Sequence, residues 1–167
     1  MRPSLSDAPS LFRFLGDPQA MRFTHCDASL RDCRRRIAAH EWFRRRDGCA
    51  PWIVVRRNDG RIIGWGGLYR DPFDRRWGVE VGYHFDPRAW GLGYATELVA
   101  ACTAIADRDR HIPALVAFAH PANHRSQRVL HKSDFRQERF VAEMNRFLFR
   151  RTPGGQGGRQ DGAGAAT

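Results

Sequence analysis

The chain has 167 residues, the length of one domain with a substantial core, and its 42% hydrophobic and 11% aromatic content fits a globular protein. Its formal charge of +10 raises a nucleic-acid partner, but Lys132 is the only lysine, the arginines fall in scattered pairs and triplets, and no stripe alternates them with aromatics, so a nucleic-acid surface is not expected. No apolar run approaches the roughly twenty residues of a bilayer span, and no apolar run follows Arg2 as in a secretory leader, so no membrane partner is expected and a cytoplasmic location is.

Ser4 to Leu15 reads as a short amphipathic helix with Leu5, Ala8, Leu11, Phe12 and Leu15 on one side, capped by Ser4 or Ser6 and ended by Gly16-Asp17-Pro18. Asp27 or Ser29 caps a second helix to about Arg46, with apolar positions Leu30, Cys33, Ile37, Ala38 and Trp42, and Gly48 stops it. Trp52-Ile53-Val54-Val55 and Ile62-Ile63-Gly64-Trp65 flank Asn58-Asp59-Gly60, a hairpin signal because Asp-Gly suits the positive φ of a tight turn. Gly66-Gly67 then weakens the second strand or lets another backbone come close. A strand from Trp77 to Phe85 follows the Asp71-Pro72-Phe73-Asp74 connection. Beyond it a helical pattern places Ala95, Leu98, Val99, Cys102 and Ile105 on one face. The apolar run Ala114 to Ala119 is then a strand parallel to Trp77–Phe85, since a strand–helix–strand crossover joins parallel strands. Asn123 to Lys132 reads as a short helix. Glu138 to Val141 and Phe147 to Arg150 form a closing hairpin, and from Gly154 the Gly-rich tail is expected to be disordered. The organisation is therefore one domain over 1–152 and a tail over 153–167.

Between the Trp77–Phe85 strand and its helix lies Arg88-Ala89-Trp90-Gly91-Leu92-Gly93-Tyr94-Ala95-Thr96. Two glycines there let backbone N–H groups turn inward at the positive end of a helix dipole, a cradle for phosphate oxygens, with Arg88 beside it. It is not a P-loop, because Gly93 is followed by Tyr94-Ala95 rather than Lys and a hydroxyl. It is not a dinucleotide fingerprint either: Thr96 stands where a third Gly or Ala belongs, and no acid ends the segment at Ile112-Pro113-Ala114. Alone, a Gly-x-Gly is as compatible with a plain turn.

Metal chemistry is not expected. Cys26, Cys33, Cys49 and Cys102 show no Cys-x-x-Cys spacing, and Pro121 separates His120 from His124.

Four ordered motifs carry a resemblance. Arg88-x-x-Gly91-x-Gly93 resembles the acyl-CoA pyrophosphate loop of the GNAT superfamily of N-acetyltransferases, and Val79-Glu80-Val81-Gly82-Tyr83 resembles that family's central strand. Trp90 to Glu97 is similar to the loop of the ribosomal-protein N-terminal acetyltransferase (Rim-type) branch. Asn123-His124-Arg125-Ser126 and Val129 to Phe135 resemble its Asn-x-x-Ser and Leu-x-Lys-x-Gly-Phe signature. The resemblance runs from about Arg2 to Arg150. It implies an α/β fold: a mixed sheet, antiparallel strands and then a parallel β-α-β crossover, with helices on both faces. Two departures stand out. Met1-Arg2-Pro3 matches only the end of the family's first edge strand, so that strand is largely missing, either as a short form or from a downstream start; its neighbour's edge is expected to be partly unpaired, a risk for stability or a site for dimer pairing. Asp134 stands where glycine is usual, and Asp tolerates a left-handed conformation.

The implied reaction is attack of an amine on the thioester of acetyl-CoA, the co-substrate, with the amine from a protein N-terminus or a small molecule. By resemblance, backbone groups at Tyr83, His84 and Phe85 meet the pantetheine arm, Arg88, Gly91, Leu92, Gly93, Tyr94 and Ala95 hold the pyrophosphate, and Asn123 contacts pantetheine. Glu80, a carboxylate in an otherwise apolar strand, is the preferred general base, although a Glu paired with a surface arginine would look the same. Glu138 is a second candidate with a surface role the simpler account. Many relatives carry a tyrosine where this chain has Leu130, so Ser126, one turn away, is the candidate to orient or protonate the sulfur, with Tyr83 and His84 kept open. Trp42, Phe43, Trp65 and Phe73 could wall an acceptor groove or simply pack in the core. The alternative function is a catalytically weak acyl-CoA-binding or pseudoenzyme module acting as a sensor or interaction domain.

Overall fold

A computed structural model describes residues 1–72 and 74–152. Phe73 and the tail expected from Gly154 lie outside the described residues. The described residues form six strands and four α-helices: α1 (Ala8–Leu15), α2 (Leu30–Asp47), β1 (Trp52–Val55), β2 (Ile62–Tyr69), β3 (Val79–Phe85), α3 (Tyr94–Ala106), β4 (Leu115–Ala119), α4 (His124–Lys132), β5 (Arg136–Val141) and β6 (Arg146–Arg151). The sheet order is β1-β2-β3-β4-β6-β5. β3 and β4 pair in parallel, and every other neighbouring pair is antiparallel. β6 thus inserts between β4 and β5.

Strand alternation divides the sheet between two cores. Val79 and Val81 point with Leu68, Leu115 and Ala117 toward Val99, Cys102 and Ala106 of α3 and Leu130 of α4. On the opposite face Ile53 and Trp65 pack on Ala8, Leu11, Phe14 and Leu15 of α1 and on Cys33 and Ile37 of α2. The helices therefore cover both faces, as the resemblance implies. Burial of this kind contributes about 25 cal/mol per Å² of apolar area.

Local chemistry sets the element ends. A turn of 3-10 helix over Leu5–Asp7 leads into α1, and the Asp7 carboxylate accepts from the Ser4 N–H at 2.8 Å. Ser29 caps α2 by accepting from the Asp32 N–H, and Gly48 ends it at φ +70°. Asp134 takes φ +62°, as expected of an Asp in the glycine position.

Four local expectations are corrected. On α2 the buried face is Cys33, Ile37 and His40, whereas Ala38 is exposed and Trp42 is 79% exposed. Nine residues at about 100° each place Trp42 half a turn from Cys33, on the solvent side. On α3 Ala106 is buried and Ile105 is 41% exposed. Trp77 belongs to a 3-10 turn, Arg75–Trp77, rather than to β3, because Asp74 caps that turn and accepts from Trp77 Nε1 at 3.1 Å. In the β1–β2 connection Gly60 takes positive φ but Asp59 does not, and the Arg56 N–H donates to the Arg61 carbonyl at 2.9 Å, so the expected hairpin closes through a four-residue loop.

Gly66 does allow a close backbone approach, whereas Gly67, at φ +140°, faces the Trp52 ring. A Cβ at Gly66 would lie 2.4 Å from the Gly82 carbonyl oxygen and 2.6 Å from Tyr83 Cα. At the outer edge of β1, Met1 and Ile53 exchange two hydrogen bonds, 2.9 and 2.8 Å, so part of the edge expected to be open is paired.

Candidate active site

The site starts where the sheet parts. β3 and β4 share only the pairs Val79↔Leu115 and Glu80↔Val116. Beyond Glu80, β3 follows β2 to Phe85 while β4 follows β6 to Ala119. A wedge opens between Val81–Phe85 and 117–119, and the backbone of β3 facing it has no strand partner. Two cavities meet there, sharing Tyr83, His84, Asn123 and Ser126 as walls and Phe23 and Thr24 of the α1–α2 loop as a roof.

The first cavity, about 620 Å³, lies along the expected phosphate loop. Gly91 and Gly93 take φ +78° and +86°, and a Cβ at either would meet nothing within 4 Å. Their conformation, rather than crowding, demands glycine. Among the described residues, the amides of Gly91 through Thr96 have no protein acceptor, and they open α3 with Gly93 as its N-cap. Trp90 fastens the loop to β3 through Nε1, which donates to the Phe85 carbonyl at 2.9 Å. Trp90, Gly91, Gly93, Phe85, Tyr94, Ala95 and Asn123 border this cavity. Arg88 and Leu92 do not: Arg88 is exposed and Leu92 is 61% exposed, leaving only its amide to offer. Besides Arg22 of the α1–α2 loop, the positive charge at the wall comes from Arg125, Arg128 and Lys132. These sit on α4, roughly forty residues along the chain, and only the crossover brings them to the loop. Asn123 caps α4, its Oδ1 accepting from the Ser126 N–H at 3.2 Å, so its NH₂ remains to donate.

At the meeting point, Tyr83 Oη and Ser126 Oγ are 2.9 Å apart. Burial pushes the Tyr83 phenol up to about 12, so it stays protonated at neutral pH. Leu130 is buried in the α3–α4 core.

The second cavity, about 570 Å³, lies on the α1–α2 face of β3 and contains Glu80. Glu80 is only 9% exposed. Tyr69, its cross-strand partner, donates its O–H to Glu80 Oε1 at 2.6 Å, and Oε2 has no protein partner among the described residues. Burial pushes the carboxyl up to about 7, with the Tyr69 hydrogen bond opposing and Asp71 adding to the rise. The surface-paired alternative for Glu80 is thereby overturned. His84 stands on the same face, stacked on Trp65 at 6.0 Å. Burial and then Arg36 lower it to about 3, so it is neutral. His40 meets the rings of Trp65 and Tyr69 edge-on and is lowered to about 4 for the same first two causes. Of the aromatics expected to wall a groove, Trp65 does. Trp42 faces outward, Phe43 lies under Arg46 and Arg75, and Phe73 is outside the described residues. Glu138 pairs with Arg150 at 2.7 Å on the surface. Tyr69 and Arg146, which also line this cavity, were not singled out from sequence, because neither lies in a motif and both reach the site through strand register.

The described residues hold no cluster of three or more His, Cys, Asp or Glu placed to bind a metal, and all four cysteines are free thiols. No helix among them is long and apolar enough to cross a membrane.

A mixed sheet that parts at its one parallel pair, beside a helix N-terminus turned outward by glycines, is the build of an acyl-CoA-dependent acyltransferase. Residues 1–136 match the Acetyltransferase (GNAT) domain, and the chain belongs to that family of acetyl-CoA-dependent N-acetyltransferases. It is 28% identical over 144 residues to the uncharacterized protein YkkB of Bacillus subtilis (strain 168), covering 84% of this chain and 82% of that one. Among solved structures it resembles a putative GNAT-family acetyltransferase from Bordetella pertussis, with TM-score 0.76 and 21% identity over 90% of this chain and 93% of that one. The aminoglycoside acetyltransferase AAC(6')-Ib, in complex with coenzyme A and kanamycin, gives 0.73 and 16% over 91% and 92%. A ribosomal-protein-S5-alanine acetyltransferase from Vibrio fischeri gives 0.70 and 18% over 92% of each chain. These three attest the fold. Because relatives with such different acceptors fit almost equally well, the Rim-type branch is not singled out.

Proposed function

We propose that this enzyme transfers the acetyl group of acetyl-CoA to a primary amine by direct attack in a ternary complex, with Glu80 as general base. The observation that carries this reading is the placement of Glu80. Its unpartnered Oε2 belongs to a cavity that meets the loop-side cavity at the β3–β4 wedge. The residues present fit the co-substrate. Six unpaired amides from Gly91 to Thr96 suit a pyrophosphate, and Arg125, Arg128 and Lys132 add charge for the phosphates. The edge of β3 from Tyr83 to the Phe85 N–H, whose carbonyl Trp90 already occupies, together with the Asn123 NH₂, suits the amide groups of pantetheine. The co-substrate supplies a thioester carbonyl carbon that an amine can attack.

The protein's share is orientation and proton handling. An amine enters as ammonium and is unreactive until it loses a proton. Glu80 Oε2 accepts that proton directly or through a water chain, and an acid with a pKa about 7 is matched to this task. Tyr69 fixes the carboxylate rotamer through Oε1. The new bond joins the amine nitrogen to the carbonyl carbon, and the bond that breaks is C–S. A backbone amide on the free edge of β3 supports the charge developing on the carbonyl oxygen. The departing sulfur takes its proton from Ser126, which the Tyr83 phenol resupplies across 2.9 Å, and the second proton that the attacking nitrogen sheds as the amide forms returns to this pair through water. A cytoplasmic setting, where acetyl-CoA is made and used, belongs to this proposal.

The test follows release of free thiol from acetyl-CoA by purified protein with a panel of primary amines. Amine-dependent release, lost in Glu80→Gln, is the expected result. Acetyl-CoA binding without release for any amine would contradict it. That outcome favours the second reading, an acyl-CoA-binding module, which the buried Leu130 in place of the usual tyrosine also supports.

A further inference from the structure

Three arginines line the acceptor-side cavity, and their partners differ. Arg36 donates from Nε and Nη2 to Asp27 Oδ1, at 3.0 and 2.6 Å. Arg35 lies 3.7 Å from Asp32. Arg146 has one weak partner, the Phe23 carbonyl at 3.4 Å, and belongs to none of the ion pairs among the described residues. A guanidinium carries five N–H donors in a planar fork, and a half-buried one with a single long contact has most of that capacity unused.

Strand register places it opposite the base. Glu80 is level with Val116, and Val116 pairs with Arg150. Arg146 lies four residues from Arg150 along β6, an even number, so it projects to the Glu80 face near the open end of the wedge. Its charge acts on Glu80, Tyr69 and His84 together, favouring the ionised forms of the first two and opposing protonation of the third. The cavity carboxylates are otherwise engaged. Asp27 and Asp32 face arginines, Asp71 has an interaction of its own, and Glu80 is held by Tyr69. Besides the base, a polycation would find only Asp27 Oδ2 without a partner, and that atom is buried beside Arg36. An anion would find a spare guanidinium.

We infer that Arg146 receives a carboxylate of the acceptor, so that the amine acetylated is a small amino acid rather than a polyamine or an aminoglycoside. This rests on the N-acetyltransferase reading of the same site. The amino group is then held toward Glu80 and the carboxylate is clamped by the fork of Arg146, which fixes the nitrogen's approach to the wedge. Trp65, Phe118 and Met144 in the same wall leave apolar room for a side chain.

The experiment measures kcat/KM for matched pairs that differ only in the carboxylate: L-phenylalanine with 2-phenylethylamine, L-histidine with histamine, and L-tryptophan with tryptamine. Kanamycin and a short alanine-initiated peptide are run beside them. The wild type is expected to favour the carboxylated member of at least one pair by about 10- to 100-fold, the range of a charge-assisted bidentate contact. Arg146→Gln is expected to collapse that ratio toward one through KM, with Arg146→Lys between. The inference is overturned by equal use of both members, by turnover of kanamycin or the peptide alone, or by an Arg146→Gln variant that slows both members alike and melts lower, which would make Arg146 a tie to the Phe23 loop. Acetyl-CoA binding with no thiol release for any of these amines is a separate result, failure of the transferase reading itself.

Discussion

Glu80 has two effects with opposite signs. Its folded-state pKa of about 7 lies above the ordinary 4.5, so the neutral form is favoured by folding. Its contribution to stability is therefore full below about pH 4.5 and is lost as pH rises through about 7, where activity requires the charge. Glu80→Gln keeps an acceptor for Tyr69 and removes the ionisation. The variant should lose about 100-fold or more in turnover while still binding acetyl-CoA. Its stability relative to wild type should grow between pH 5 and pH 8 by about 1–3 kcal/mol, read from denaturant midpoints at both pH values. Wild-type kcat/KM should rise with pH and level off above about 7. A flat profile from pH 5.5 to 8.5 would remove Glu80 from the proton transfer. Sequence exposed this residue because a carboxylate in Val79–Phe85 is out of place. It did not expose Tyr69, whose role depends on the register Tyr69↔Glu80 across β2 and β3.

At the scale of elements, the loop and α4 were legible because their chemistry is local: glycines before a helix, and Asn123 as a cap three residues before Ser126. The misreadings came where an amphipathic pattern was incomplete. α2 carries so many arginines that His40, which looks polar, fills the buried position that Trp42 seemed to claim. Gly66-Gly67 leaves two readings open, a weakened β2 or a close backbone approach, and the structure shows the second at Gly66. At Gly66 any side chain meets backbone atoms of β3, which cannot rotate away. Gly66→Ala should therefore cost about 2–3 kcal/mol and shift β3, with activity falling alongside the melting temperature. Gly64 is a contrast of degree, since its Cβ would meet the Phe85 ring at 2.5 Å while its nearest backbone atom, the His84 carbonyl oxygen, lies farther off at 3.2 Å. Gly64→Ala melting as low as Gly66→Ala would refute the backbone-contact explanation.

Over the whole molecule, the parallel crossover and its flanking helices could be read from order alone. The insertion of β6 between β4 and β5 could not, because nothing local in Arg146–Arg151 marks its neighbours. That insertion brings Arg146 to the acceptor side, and the crossover brings Arg125, Arg128 and Lys132 to the loop. The fold also sets an acid limit. His40 and His84 are held neutral, with pKa values near 4 and 3, below the ordinary 6.5. Their depressed values mean stability present above pH 6.5 and lost as pH falls from 6.5 toward 4. Melting temperature should drop over that window, and His40→Phe, which keeps a ring against Trp65 and Tyr69, should drop less steeply. An equal slope in the variant would contradict the assignment. The most direct test of the central claim, an acetyl-CoA site at the parted strands, is calorimetric titration of acetyl-CoA into wild type and Gly91→Glu. That substitution puts a carboxylate and a strained φ into the cradle. Micromolar binding by wild type, weakened at least tenfold in a folded variant, is the predicted result. No binding by well-folded wild type, or equal binding by both, would contradict it.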